Sequence, residues 1–317
     1  MRLYQPSKFL HSVRLSIGVI VAIPLFLSTA GCPGSPDEQN GDLEPNTWTI
    51  PSFGSDSTLE VMTWNLRNFG QNGSPPIHRV AEIVRQLDVD VIALQEIVSQ
   101  SAFETLLDSL DGWTGFRASP SSTWQELAYL YKDSLFVQVA PAYEIYVDED
   151  RALPREPLVL ELLADTLRIV LINNHLKCCG NGTIEDDPDD EETRREAASL
   201  LLQDYIQTQL PEQNVILLGD LNDEIDEPSE RNVFQNLLEA NDQFYFVTLA
   251  LVQDTTQATY PHAPWFSFID HILITTVLLD EWERSGHVET IRLDDMMDGY
   301  FGEVSDHRPV AMRLAFR

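Results

Sequence analysis

The chain has 317 residues, 43% of them hydrophobic, and a formal net charge of −31. That apolar content excludes wholesale disorder, and the length allows one large domain or two small ones. The charge excludes a protein that grips long polyanions through its general field, while it favours divalent cations.

In chain order, the first 31 residues form an export signal. Arg2, Lys8 and Arg14 give a basic start, Leu15 to Ala30 is almost wholly apolar, and Ala30-Gly31-Cys32 ends the segment. Basic, apolar and small-residue regions in that order describe a secretory signal, and about 16 apolar residues interrupted by Pro24 are short for a transmembrane span. A cysteine directly after Ala-Gly resembles a bacterial lipobox, which makes Cys32 the lipidated first residue of a membrane-anchored lipoprotein. The alternative is plain secretion, to the periplasm or beyond, with cleavage near Gly31. Residues 32–56, opening Pro33-Gly34-Ser35-Pro36, read as a flexible tether. The first 32 residues hold three of the 20 basic groups and no acid, so 17 basic groups face 51 acidic ones afterwards, a net charge of −34.

From residue 57 to 317 short apolar runs alternate with amphipathic ones. Residues 59–64 read as a strand. Apolar positions 77, 80, 83, 84 and 87 make one helical face. Residues 89–94 read as a buried strand and 103–110 as a short helix. Strands follow at 127–131, 137–146, 158–163 and 167–174, then a long helix over 192–210. The last strands are 215–219, 268–275 and 308–314. The pattern suits an α/β fold with two packed mixed sheets and helices outside.

Two local features stand apart. Cys178 and Cys179 are adjacent, cannot staple distant segments, and are expected to form a vicinal disulfide or to stay reduced. The acidic run 185–192 leads into the long helix, where carboxylates suit the N-terminal dipole; a structural Ca²⁺ there is the alternative reading. Arg194 and Arg195 open that helix and are expected to pair with those acids at the surface. Trp265 and Phe266 are expected either to line a cleft or to pack inside.

Polar residues gather at the ends of the apolar strands: Asn65, Glu96, His175, Asp220, Asn222, Asp270, Asp306 and His307. Strand alternation places Asp220 and Asn222 on one face. A glutamate ending a buried strand is costly unless paired or bound to a metal. Two histidines, several carboxylates and amides fit metal-assisted phosphoryl chemistry. A hard ion takes carboxylate oxygens, a base prepares water, and donors meet the developing charge.

The ordered series WNLRNFG, LQE, REP, NNHLK, GDLND, IDHIL and SDHRPV resembles the endonuclease/exonuclease/phosphatase superfamily, in detail deoxyribonuclease I. The resemblance implies a four-layer sandwich of two mixed β-sheets flanked by helices. It implies that Glu96, with Asn65 and Asp306, holds Mg²⁺ or Mn²⁺. It makes His307 the general base, oriented by Asp270. Asp220 and Asn222 position the nucleophile, and Asn222 donates to the phosphate. His175 becomes the second catalytic histidine. Arg155, with Arg67 of the first motif, contacts the phosphate. Either Glu126 or its neighbour Gln125 orients His175, with Glu126 the first choice. The DNA-reading positions depart from the family: Val98 replaces an arginine, and a groove-stacking tyrosine has only Thr123 or Trp124 near its place.

The expected activity is therefore that of an exported, metal-dependent nuclease on DNA or RNA, acting as a monomer. The alternatives are the same chemistry on a phospholipid of the sphingomyelin type or on a small phosphoester, and a non-catalytic surface module.

Overall fold

The computed structural model describes residues 48–71, 75–119 and 124–315. The export signal, Cys32, most of the tether and Thr123 lie outside them. Apolar alternation builds β1 (Thr58–Phe69), β2 (Val91–Ile97), β3 (Trp113–Arg117) and β4 (Glu126–Lys132). It continues with β5 (Val137–Gln138), β6 (Tyr143–Glu144), β7 (Leu158–Ala164), β8 (Leu167–His175) and β9 (Val215–Asp220). The series ends with β10 (Phe244–Phe246), β11 (Asp270–Thr275), β12 (His287–Thr290) and β13 (Val310–Ala315). One sheet has the order β12-β13-β1-β2-β4-β3, with β1 and β2 parallel. The other runs β10-β11-β9-β8-β7-β5, with β6 also on β7 and with β8 and β9 parallel.

Both sheets are mixed, as the sequence pattern suggests, and helices cover their outer faces. Alternation along each strand sends one set of side chains to each layer. Leu59 and Val61 of β1 meet Ile216 and Leu218 of β9 between the sheets. Met62 and Trp64 point the other way, onto α1 (Ile77–Leu87) and α2 (Gln100–Asp108). On the far side, Val170, Ile172 and Leu217 pack on Ala198, Leu202 and Ile206 of α3 (Glu191–Gln209).

Two expectations change, and one open alternative is decided. The tether ends earlier than residue 56. Ile50 and Phe53 are buried in the layer with α1, and the Phe53 and Gly54 amides donate to Leu87 O at 2.9 and 3.1 Å. Two apolar residues in an extended segment suffice to seat it. The strand expected over 137–146 is two short pieces, because Pro141 lies between them and has no amide to donate to a ladder. Cys178 and Cys179 are free thiols, their sulfurs 3.0 Å apart.

Candidate active site

The layer between the sheets turns polar at one edge. Along β8, β9 and β11 the positions that carry Ile or Leu deeper in the core carry His175, Asp220 and Asp270 at the rim. His175 stands beside Asp220 in the parallel register, and Asp220 stands beside Asp270 in the antiparallel one. On β1 the same alternation runs from Leu59 through Val61 and Thr63 to Asn65. The Asn65 amide crosses between the sheets, donating to Asp220 Oδ2 at 2.9 Å and to Glu96 Oε1 at 3.3 Å. Below this rim Gln95 donates to Asn173 Oδ1 at 2.7 Å, a second polar bridge that sets the sheets' relative position.

Backbone strain concentrates here. Arg67, Asn68, Glu96 and Asn222 all have positive φ, and the β1–β2 register shifts between Asn65 and Phe69. Non-glycine residues persist in that region only where surroundings over-determine them, and bulges re-aim side chains. The bulge turns the Asn68 amide onto Glu96 Oε2 at 2.8 Å, and Asn65 Oδ1 accepts from the Arg67 amide at 2.9 Å. At Gly219, with φ of 143°, a Cβ would lie 2.0 Å from Asn174 O, so only glycine lets β8 and β9 approach at this end.

His307 lies just before β13. Its Nδ1–H donates to Asp270 Oδ2 at 2.8 Å, leaving Nε2 facing Asp220 Oδ2 at 3.8 Å. Ser305 fixes this turn: its hydroxyl donates to Asn65 O at 2.6 Å and accepts from the His307 amide at 3.0 Å. Burial disfavours charging the imidazole, but Asp270, Asp220 and Asp306 outweigh it and raise His307 to about 10. Asp220 is pushed up to about 7 by burial; His307 and Asn65 oppose the rise, while Asp270 and Glu96 add to it. His175 behaves oppositely. Burial first, then Arg155 and His307, hold it well below 6.5, so it is neutral despite Asp220 at 3.5 Å and Glu96 at 4.0 Å. Those contacts are dipolar rather than ionic.

The residues expected from the sequence fall into three groups. Asn65, Glu96, His175, Asp220, Asp270 and His307 come together. Asp306 sits on the His307 turn, its carbonyl accepting from the His262 ring at 2.9 Å and its charge helping to hold the imidazolium. Arg155 reaches the same place, held by Gln125 Oε1 at 2.5 Å and Leu176 O at 3.3 Å, with Nε buried and unpartnered. Arg67 donates to Phe301 O at 2.7 Å, so it braces the 300–304 segment at the rim. Asn222 departs from the expected strand geometry, because β9 ends at Asp220. Its amide N–H donates to Asp220 Oδ1 at 3.1 Å and its side chain to Leu176 O at 3.2 Å.

Two expectations are corrected. Glu126 does not orient His175, whose Nδ1 is buried without a hydrogen-bond partner. Glu126 opens β4 opposite Ile97, and its charge acts on Arg117 and Arg155. Gln125 serves Arg155 instead, and its amide also donates to Asn68 Oδ1 at 2.8 Å. Arg195 is no surface residue. It is buried, donating to Asp223 Oδ2 at 2.8 Å, Lys177 O at 2.7 Å and Cys179 O at 2.8 Å, with Glu192 at 3.4 Å. It thereby ties the loop after β8 to the loop after β9. Arg194 does lie outside, donating to Arg151 O. The roles of Gln125, Ser305 and Arg195 were not assigned from the sequence, because they depend on contacts between distant segments.

The donor set fits a hard divalent cation. Glu96 is a partly exposed carboxylate that accepts from the Asn65 side-chain amide and the Asn68 backbone amide, and Asp270 Oδ1 is buried and unpartnered. Asp220, Asp270 and His307 bring ligand atoms within 4.8 Å of one another, though Asp270 and His307 are already joined. A second acidic group, Asp190, Glu191 and Glu192, is similarly close. Its members are engaged: Asp190 caps the Thr193 amide, Glu191 faces Lys177, and Glu192 pairs with Arg195.

A family model for the Endonuclease/Exonuclease/phosphatase family matches residues 62–307. No curated protein matches in sequence. Among solved structures, D. rerio TDP2 complexed with a single-strand DNA product is similar, with a TM-score of 0.62 and 16% identity over 82% of this chain and 100% of that one. The human Nocturnin catalytic domain with bound sulfate gives 0.58 and 17%, over 82% and 95% of the two chains. A Bacteroides thetaiotaomicron mannosyl-6-phosphatase gives 0.55 and 17%, over 81% and 100%. At such identities the likeness is one of fold.

Proposed function

The chain belongs to the Endonuclease/Exonuclease/phosphatase family of metal-dependent phosphoric ester hydrolases, and from that premise we propose that it is an exported nuclease acting on DNA or RNA. The observation that carries the reading is the Asp270–His307 pair at 2.8 Å, with its free Nε2 directed at Asp220 and with Arg155 close by. The TDP2 relative solved with a single-strand DNA product supports a nucleic-acid substrate.

Each side chain then has a task set by its surroundings. Asp270 orients the His307 ring, and in the form of the pair that has lost its proton Nε2 takes the proton of the attacking water. Asp220, 3.8 Å from that nitrogen, receives the water's other hydrogen bond. Glu96, with Asn65 and Asp306, holds Mg²⁺ or Mn²⁺, which when bound supplies positive charge to the phosphate oxygens. Neutral His175 serves as a hydrogen-bond donor to the phosphate rather than as an acid, because its environment keeps it uncharged. Arg155, already oriented by Gln125, offers its guanidinium to the phosphate, and Asn222 positions the nucleophile's carboxylate through its backbone amide.

The mature chain incubated with Mg²⁺ or Mn²⁺ should cleave plasmid, single-stranded DNA or RNA, and His307→Ala should lower kcat by at least about a hundredfold with the circular dichroism spectrum unchanged. Cleavage of a choline phospholipid or a sugar monophosphate, with nucleic acids untouched, would assign the other substrate class. The proposal includes export and a lipid anchor on Cys32, and it rests on the N-terminal sequence pattern. In a bacterial host the full chain should fractionate with membranes and Cys32→Ala should not; a soluble wild-type chain would refute the anchor.

A further inference from the structure

The site's aromatic rim goes beyond phosphate chemistry. Residues 260–267 form a tight hairpin closed by paired hydrogen bonds, Tyr260 N to Ser267 O at 2.9 Å and Ser267 N to Tyr260 O at 3.1 Å. It is fastened to the catalytic turn. The Tyr260 ring lies 5.2 Å from the His307 ring, and the His262 ring bonds Asp306 O at 2.9 Å while packing on Phe301 at 5.0 Å. The Trp265 and Phe266 amides bond back to His262 O at 3.0 and 3.2 Å, so the tip is stiff. Yet Trp265 is 72% and Phe266 48% exposed. The only other tryptophan exposed among the described residues, Trp124, adjoins Gln125, the partner of Arg155. Large exposed aromatic surface is costly unless it is used, and here it lies on two segments tied to the site, the hairpin held to the catalytic turn and the residue before Gln125.

We propose that Trp265 and Phe266 form a stacking platform for an unpaired nucleobase of the substrate, which makes a single strand rather than a duplex the preferred form. This rests on the nuclease reading above and deepens it. Stacking recognises a planar neutral ring and is tolerant of sequence, so it works on an acidic protein that cannot hold the phosphate backbone electrostatically. The hairpin carries no Lys or Arg, as a docking element for an anionic lipid surface would. A Trp and a Phe held by backbone hydrogen bonds lose little freedom on binding.

The test compares the wild-type mature chain with Trp265→Ala/Phe266→Ala and with Trp265→Phe. Substrates are an oligothymidylate, the same length of base-less tetrahydrofuran phosphodiester, and a duplex. The double variant should raise KM for oligothymidylate on the order of tenfold, with kcat within about twofold and the base-less strand unaffected; Trp265→Phe should recover most of the loss. Equal KM changes on both strands, or none, would overturn the platform while leaving the nuclease standing. A wild-type chain that cleaves none of the three, nor an oligouridylate of the same length, sinks the nuclease reading and the platform with it. Binding to sphingomyelin vesicles that disappears in the double variant assigns the hairpin to membranes and also overturns the proposal.

Discussion

At the residue scale the catalytic pair carries a proton whose fate can be followed. His307 is raised to about 10 from an ordinary 6.5, so the stability it contributes is whole below about 6.5 and is lost as pH rises through about 10. Asp220 is raised to about 7 from 3.8; the folded state keeps a proton that the unfolded chain releases, so stability falls as pH rises from about 4 through 7. The two act in the same direction. In EDTA the chain should therefore melt at progressively lower temperature between about pH 5 and pH 9, and Asp220→Asn should flatten the lower half of that slope. A divalent cation should oppose the trend, since its binding displaces protons from such a site and tightens with pH. An Asp220→Asn chain whose pH slope in EDTA between about pH 4 and 7 equals that of the wild type would refute this reading of Asp220. The identities of His307, Asp270 and Asp220 could be read from the sequence because each flanks an apolar run within an ordered motif. The neutrality of His175 could not be, because it depends first on complete burial and then on Arg155, twenty residues earlier in the chain and brought close by the fold.

At the element scale the strand ends fix where the polar groups can be, while loops fix how they point. Arg195 shows the difference. Its place in the first turns of α3 suggests exposure, since acids precede it and polar residues surround it. The fold instead buries it between the two loops that follow β8 and β9, against Asp223 and Glu192. Removing only the cation leaves two buried carboxylates without compensation. Arg195→Met should cost about 3–5 kcal/mol, read from urea unfolding at unchanged m. Pairing it with Asp223→Asn should recover part of that loss. A cost under about 1 kcal/mol would mean that the loops hold their positions without the clamp. The same logic explains the missing Glu126–His175 contact. One residue of register in β4 decides which side chain faces the site, and there Gln125, just outside the strand, faces Asn68 and Arg155.

At the scale of the whole molecule, two sheets facing each other were foreseeable because apolar runs of strand length alternate with helical faces. The short edge strands β3, β10 and β12 escaped notice because a few residues carry too little period-two signal. Charge was the other global quantity available from composition, and it leads to a prediction opposite in sign to that for a basic nuclease. Residues 33–317 carry 17 basic and 51 acidic groups, a net charge of −34, and the substrate in the proposed reading is also an anion. At about 0.01 M monovalent salt the field extends roughly 30 Å from the surface, and at about 0.15 M roughly 8 Å. Low salt therefore slows encounter, because the strand meets the repulsive field long before it reaches Arg155. Close to the site the field matters less, since the neutral contacts of the aromatic rim do not depend on it. With Mg²⁺ held constant, kcat/KM on an oligonucleotide should rise several-fold across that range, while a singly charged phosphodiester reporter should change little. A protein that bound its substrate through counterion release would show the reverse, an affinity falling steeply with salt. A tenfold loss of kcat/KM over the same interval would mean that a basic surface guides the strand after all, and that the acidic envelope has no part in selecting the substrate.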